Sequence, residues 1–397
     1  MTALRQIATV VELNLRNLPQ RLGASAVIVV GIAGVVGVLL SVLAMAVGFQ
    51  RTVAGTGSPD RAIVISSGAL NEALSSIPRD AVANIEGAPG IARDGAGRAI
   101  VSAEVLAQIQ VPARHGGKLI NVTVRGVGPR EPELRPEIHL LEGRDFRSGL
   151  HELIVGRNAA AAYGGLVLGD HLKFQNGDWT VVGVFGSSAA SSLDSQLLAD
   201  ANTLLSAYQR NWFHSVTVQL EGPGALARLK RALAADPTLH VAVFRESEYS
   251  ATQSRGLSRL LKGIGYFIGG MMAVGAVFGA LNTLYAAVSA RSVEIATLRA
   301  IGFGSAAVVI SVLVEALLLS LGGALAGALC AWALFDGHVT SMAGGGLQTQ
   351  LAFTMAVTPG LIALGIIWAC LIGLIGGLFP AIRAARLPVA RALGAIA

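Results

Sequence analysis

The sequence predicts an α-helical membrane protein with four transmembrane helices plus a large mixed α/β extracytoplasmic domain of two lobes. Three observations lead there: long charge-free apolar runs, basic residues gathered at matching ends of those runs, and one long intervening stretch patterned as strands. Of 397 residues, 53% are hydrophobic and 14% charged, and the mean hydropathy is +0.62. Ordinary soluble domains are less apolar and less clustered.

No charged residue stands between Arg21 and Arg51, nor between Lys262 and Arg291. From Ala300 to Phe335 the only charge is Glu315, and from Gly337 to Ile382 there is none. A helix needs about 20 apolar residues to cross the hydrocarbon core. The spans therefore fall at 21–50, 262–290, 305–335 and 358–380, with a polar, Gly-rich loop at 336–357.

Orientation follows from the basic residues. Arg5, Arg16 and Arg21 precede the first span, Arg291 and Arg299 lie in the short loop after the second, and Arg383, Arg386 and Arg391 end the chain. The loop after Phe335 offers Asp336 and no Lys or Arg. By the positive-inside rule both termini (to residue 20 and from 381) and the 291–304 loop are cytoplasmic, and 51–261 lies outside. The net charge of +6 and pI near 9.7 are thereby used for orientation, and nucleic acid is not expected as a partner. The first apolar run is longer than a signal-peptide core and follows an acid, Glu12, so an uncleaved anchor is expected despite Ala44-Met45-Ala46. Cys330 and Cys370 both fall inside spans, which leaves the outer domain without a disulfide.

Each element has its own signature. In residues 1–20, Leu4, Ile7, Val11, Leu15 and Leu18 make one apolar face, predicting a helix in the cytoplasmic interface with membrane lipid as its partner. In the outer domain "RAIVIS", "AIVSAEVLAQIQV" and "LINVTVRGV" read as strands. "HLKFQNGDWTVVGVF" reads as a hairpin about Asn176-Gly177. "SVTVQL", "PGALARLKRALAADP" and "LHVAVF" read as strand, helix and strand, with Leu226, Leu229 and Leu233 on one helix face. One lobe is expected from 51–125 with 211–250, and an inserted β-rich lobe from 126–210. Residues 51–60 and 245–262 join this domain to the spans, either as a stalk or as plain linkers.

Catalytic signatures are missing. The Gly117-Lys118 pair is followed by Leu119, so no phosphate-binding loop is formed. There is no H-E-x-x-H, C-x-x-C or G-x-S-x-G. The chain by itself is not expected to be an enzyme, and neither catalytic residues, a metal site nor a cofactor is assigned to it.

Two features remain. Glu315 sits mid-span, where an isolated charge costs about 3 kcal/mol on insertion scales. It is either a functional relay or clamp, or a structural hydrogen bond to a neighbouring span through Asn282 or Tyr285; the structural reading is preferred. Gly275-x-x-x-Gly279, Gly323-x-x-x-Gly327 and Gly373-x-x-x-Gly377 mark helix faces suited to close packing. The second feature is the bend "ARSVEIATLRAIGFG". On a helix Arg291, Ile295 and Leu298 align, flanked by Glu294 and Arg299, while Val293, Ala296 and Ala300 lie opposite. A mixed apolar and charged face suits docking into a groove on another protein, although an ordinary positive-inside loop would carry similar charges.

"RSVEIATLRAIGFGSAAVVISVLVEALLLSLGGALAG" resembles the signature of FtsX-like, MacB-type ABC transporter permeases. Glu294, Ile295, Leu298, Arg299, Ala300, Gly302 and Glu315 match that pattern in order. "LLEGRDFRSGLHELIVGRNAAAAYGGLVLGDHLKFQNGDWTVVGVF" is similar to the family's outer domain, and "PAIRAARLPVARAL" to its usual ending. The resemblance implies a two-lobed periplasmic domain, a cell inner membrane location, a second permease subunit (homodimer or heterodimer), and a cytoplasmic ABC ATPase docked on the coupling helix at 291–304. ATP and Mg would be bound by that ATPase, which is expected on a separate polypeptide because only about 20 residues precede the first span. The implied function is mechanotransmission for export or efflux, with a periplasmic adaptor and an outer-membrane channel as further partners. Two alternatives share the topology: a lipoprotein-releasing permease, and an FtsX-like regulator of an external cell-wall hydrolase.

Overall fold

The computed structural model describes residues 6, 11, 12, 22–114, 119–175, 177–188, 191–344 and 349–386. Most of the expected interfacial helix at 1–20, Asn176 of the expected hairpin turn and the tail beyond 386 lie outside the described residues. The chain divides into two compact units. One, the helical unit, comprises Met1–Ala46, Leu260–Asp336 and Ala356–Ala397; the other, the sheet unit, comprises Val47–Arg259 and Gly337–Met355.

The sheet unit begins at the end of α1 (Leu22–Ala54). Its elements follow in order: β1 (Arg61–Ser66), β2 (Ile77–Pro78), α2 (Arg79–Glu86), β3 (Val101–Pro112), β4 (Leu119–Val127), α3 (Glu131–Leu134), β5 (Ile138–Gly143), β6 (Glu152–Gly156), α4 (Arg157–Ala162), β7 (His171–Phe174) and β8 (Gly177–Ser187). Then come β9 (Leu197–Asp200), α5 (Ala201–Ala207), β10 (Trp212–Phe213), β11 (Ser215–Gln219), α6 (Ala225–Ala235) and β12 (Val241–Arg245). A single sheet runs β12-β1-β11-β3-β4-β9-β6-β8-β5, with β7 paired to β8. Residues 61–127 and 215–245 supply one half of this sheet and residues 138–200 the other. The parallel pairing of β4 with β9 joins the halves, Val124 opposite Leu197.

Strand alternation explains the core. Val105, Ala107, Ile109 and Val111 of β3 and Ile120, Val122 and Val124 of β4 are buried in one cluster. The buried side chains of α6 include Leu229 and Leu233, as its one-sided leucine pattern requires. In the hairpin β7–β8, Leu172 lies opposite Trp179, whose ring stacks on Phe174 at 4.9 Å and lies 4.7 Å from His151. The 336–357 segment, expected as a loop, instead holds two paired strands, β13 (Val339–Gly344) and β14 (Thr349–Thr354). Phe353 and Ala352 of β14 are fully buried, and Phe353 meets Phe49 edge-on at 5.7 Å. That burial, invisible to a local reading dominated by glycines, accounts for the ordered pairing.

The helical unit contains most of α1, the later part of α7 (Glu246–Ala290), α8 (Ser292–Ala300), α9 (Ser305–Phe335) and α10 (Pro359–Ala385). Among the described residues, four helices are long and apolar enough to cross a membrane: Ser25–Ala54, Glu246–Ala290, Ser305–Phe335 and Pro359–Ala385. The polar stretch 245–262 is thus no separate linker: Arg245 ends β12, and 246–262 form the first part of α7, one helix of 45 residues.

Small residues set the packing. A Cβ on Gly323 would lie 2.8 Å from the carbonyl oxygen of Val29, and one on Gly327 would lie 2.5 Å from that of Ala33, so α9 lies directly against α1. Gly377 would meet the Ala316 methyl at 2.8 Å, which brings α10 equally close to α9. Gly275 and Gly279 have open space instead. Two of the three G-x-x-x-G pairs are therefore consumed inside the chain, where close backbone approach increases dispersion contacts.

Candidate functional site

The reversal between α7 and α9 is short. Arg291 leaves helical geometry with φ −99° and ψ 10°, and its N–H still donates to the carbonyls of Ala287 and Val288. Helix α8 follows for nine residues. It ends at Gly302, whose φ of +101° is open to glycine at little cost, while the Phe303 N–H donates to the Leu298 carbonyl at 3.1 Å. Ser305 then starts α9.

Within this bend the chain buries an ion pair. Nη1 of Arg291 donates to Oε2 of Glu315 at 3.2 Å, and the two residues are only 5% and 7% exposed. Glu315 therefore meets neither Asn282 nor Tyr285, the expected partners. Asn282 is exposed, and the Tyr285 ring lies 5.5 Å under the Arg383 guanidinium. The reason is the reversal itself: it returns a long, flexible arginine alongside the first turns of α9, where it neutralises a carboxylate that would be costly alone in an apolar setting.

The rest of α8 sorts into two faces. Ile295 is buried among Val288, Val308, Val312, Ala381 and Ala384, and Ala296 is fully buried. Leu298 and Arg299 are half-buried, whereas Val293, Glu294, Thr297 and Ala300 are exposed. A small cavity of about 30 Å³ among Leu284, Arg291, Ile295, Leu298 and Glu315 lies on the inner side. The face expected to receive a partner, carrying Arg291 and Ile295, is thus turned into its own chain. The outward face combines Glu294 and Thr297 with Val293 and Ala300 of the side expected to lie opposite, while Ala296 of that side is buried, because the greater apolar bulk of the Arg291–Ile295–Leu298 stripe is what the helix buries. Of the predicted docking residues, Arg291 and Ile295 are internal, Leu298 and Arg299 are intermediate, and Glu294 is exposed at the edge of the small cavity.

A second polar constellation escaped the sequence reading. In the sheet unit Arg61 of β1 binds Glu246, the first residue of α7, at 2.6 Å and Glu137 at 2.6 Å. Arg135 reaches Glu246 at 3.1 Å and Glu104 at 2.9 Å, and also grips Glu131. Arg125 binds Glu72 at 2.6 Å and pairs with Glu104. Burial would push the Glu104 carboxyl up, but Arg135 and Arg125 outweigh it and hold the group well below the usual carboxylate range. Nearby, burial depresses His214 to about 4, and its Nδ1 accepts the Leu106 N–H at 2.9 Å as a neutral imidazole must. The signal available in the sequence was the interruption of apolar strands by Glu104 and Arg125. Among the described residues, no group of three or more His, Cys, Asp or Glu is placed to hold a metal ion.

Comparisons with known proteins assign two families to the chain. The MacB-like periplasmic core domain family matches residues 25–236, and the FtsX-like permease C-terminal family matches residues 266–389. Among solved structures, the extracellular domain of the noncanonic ABC-type transporter YknZ from Gram-positive bacteria is 17% identical. The alignment covers 46% of this chain and 99% of that one, at a TM-score of 0.35. The periplasmic region of MacB from Actinobacillus actinomycetemcomitans is 13% identical over 52% of this chain and 98% of that one, at a TM-score of 0.38. No curated protein matches the chain. A core-domain match over more than half the chain, joined to the permease match that takes in the bend and both following spans, identifies the protein as a membrane-embedded ABC transporter permease of the MacB/FtsX family with a large extracytoplasmic domain.

Proposed function

We propose that this permease couples ATP hydrolysis by a cytoplasmic ATPase subunit to movement of its periplasmic domain, and so drives export or efflux from the outer side of the cell inner membrane. The chain is read as one half of a permease dimer with both termini cytoplasmic. ATP and Mg are assigned to the ATPase, and catalysis is assigned to no residue of this chain.

The observation that carries the reading is the two-faced α8. A coupling element must present a surface to its motor and must also be unable to move independently of the helices it drives. The Arg291–Glu315 pair and the burial of Ile295 tie α8 to α9, while Glu294, Val293, Thr297 and Ala300 stand outward. At the other end of α7, Arg61 and Arg135 hold Glu246. Displacement of α8 is thereby passed to the helices packed against it rather than dissipated. Docking is accordingly assigned to Glu294 and its exposed neighbours, with Arg299 at the rim, and positioning to Arg291 and Ile295.

The test is co-purification and ATP turnover of the reconstituted complex. Glu294→Lys combined with Thr297→Trp is expected to lower ATPase retention by about tenfold or more, as removal of central contacts does at protein interfaces. Retention and turnover equal to wild type would refute docking on this face. Cysteine labelling near residues 180 and 297 tests the topology: label reaching only the first from outside supports it, and the reverse pattern overturns it.

A further inference from the structure

The turn Ser192–Ser195 is anchored inside the 138–200 half of the sheet. Asp194 is fully buried; its Oδ1 accepts the Ser187 N–H at 2.8 Å and its Oδ2 accepts the Arg157 Nε–H at 2.9 Å. A Cβ on Gly156 would collide with the Asp194 backbone, so the end of β6 lies directly against the turn. Ser191 caps the turn by accepting the Leu193 N–H at 3.2 Å, and the Ser195 hydroxyl donates to the Ser192 carbonyl at 2.7 Å. The turn is thereby fixed to β6, β8 and α4.

Thr56, two residues past the end of α1, meets this turn. Its Oγ1 accepts the Ser192 N–H at 2.8 Å, shares a hydrogen bond with the Ser192 hydroxyl at 2.8 Å, and donates to the Thr52 carbonyl at 3.0 Å. One hydroxyl thus joins the last turn of α1 to the 138–200 half. A cavity of about 220 Å³ lined by Phe49, Val53 and Leu193 adjoins the contact, so apolar packing is incomplete on that side and hydrogen bonds carry the link. The backbone takes another route: after Gly57 and Ser58 it enters β1, which belongs to the other half. The ladder between the halves, Val124–Val127 on Leu197–Asp200, is parallel and short. Parallel pairing is the weaker kind, which leaves this seam able to flex.

We propose that Thr56 is a positioning residue for coupling, passing displacement of α1 through Ser192 and Asp194 to the 138–200 half of the sheet. The inference rests on the reading of this chain as a motor-driven permease. Coupling over a distance travels through groups in contact, and Thr52, Thr56, Ser192, Asp194 and Arg157 form such a series. Without the hydroxyl, α1 stays joined to β1 by its backbone and loses this hold on the second half.

Spin-label distances in the full chain, with Cys330→Ser and Cys370→Ser, test the link. Arg51→Cys with Val167→Cys spans the contact, and Glu86→Cys with Val167→Cys spans the two halves; all three positions are exposed. In the chain alone, Thr56→Val should broaden the 51–167 distance and Thr56→Ser should restore the wild-type width. With the ATPase bound, trapping with ATP and vanadate should shift the 86–167 distance in wild type and in Thr56→Ser. Thr56→Val should lower the shifted population about fivefold, the equivalent of one net hydrogen bond, at unchanged ATPase retention. Ser192→Pro removes the N–H that Thr56 accepts, suits the first position of the turn, and follows a Ser191 that is already extended at φ −134° and ψ 147°. It should reproduce the Thr56→Val result. The proposal is overturned if Thr56→Val or Ser192→Pro behaves as wild type, if Thr56→Ser is no better than Thr56→Val, or if wild type retains the ATPase and shows no shift. Should wild type fail to retain the ATPase, the docking reading fails instead. The 51–167 widths in the chain alone then still decide the link, and an unbroadened Thr56→Val overturns it.

Discussion

Two buried ionic arrangements among the described residues differ in redundancy. In the helical unit Arg291 and Glu315 stand together in an apolar setting. In the sheet unit each of Arg61, Arg125 and Arg135 contacts at least two acids, and Glu104 and Glu246 each contact two arginines. A single ion pair set among apolar side chains can be replaced as a unit by apolar groups of similar volume. A shared network cannot, since removing one member strands several others.

That contrast can be broken most directly at Arg135. Arg135→Met should cost about 4 kcal/mol or more, because it strips compensation from Glu104, Glu131 and Glu246 together. Urea denaturation of the full chain, followed through the buried Trp179, reads the effect. A loss below about 1 kcal/mol would mean that the network reorganises freely, contrary to its burial.

Arg291→Met should cost about 3 kcal/mol, whereas the double variant Arg291→Met with Glu315→Leu should recover to within about 1 kcal/mol of wild type. Unfolding in mixed micelles provides the comparison. If the double variant is no better than the single one, the charges of the pair serve other groups as well and the contrast with the sheet-unit network fails. The double variant also separates stability from coupling: restored folding with poor ATPase turnover would assign the pair a positioning role.

Acid should strain the sheet unit through His214. Its folded-state value of about 4 lies below the ordinary 6.5. Between those values the unfolded chain binds a proton that the folded chain excludes. Stability is therefore intact above about pH 6.5 and falls progressively toward pH 4, by about 3 kcal/mol in all. The Trp212 ring, 4.6 Å from His214, offers a local fluorescence reporter. A flat stability profile over that interval would show that the imidazole is not held neutral.

The smallest expected effects concern glycine. Gly327→Ala should destabilise by about 2 kcal/mol because its methyl would meet the Ala33 backbone, whereas Gly275→Ala should change stability by less than about 0.5 kcal/mol. Equal effects would argue against the packing of α9 on α1.

Much of the architecture was legible from local pattern. The spans follow from uninterrupted apolar runs, and β4 occupies the nine residues of "LINVTVRGV". The amphipathic α6 follows from Leu226, Leu229 and Leu233. Three features were not legible. The hairpin at 339–354 has a weak local signal and is stabilised by burying Phe353. The outward face of α8 depends on which side α9 and α10 cover. The outer network pairs residues as far apart in sequence as Arg61 and Glu246, 185 positions.

By itself the sequence determined where the chain can enter a membrane, which ends of its spans are basic, and which segments alternate as strands. Those properties reside in neighbouring residues and their cost of transfer from water. Tertiary structure alone decided that Glu315 is answered by Arg291, that α8 turns its bulkier face inward, and that Glu104 is shared by Arg125 and Arg135. Each of these depends on which distant groups share a low-dielectric space, a relation that local spacing does not encode.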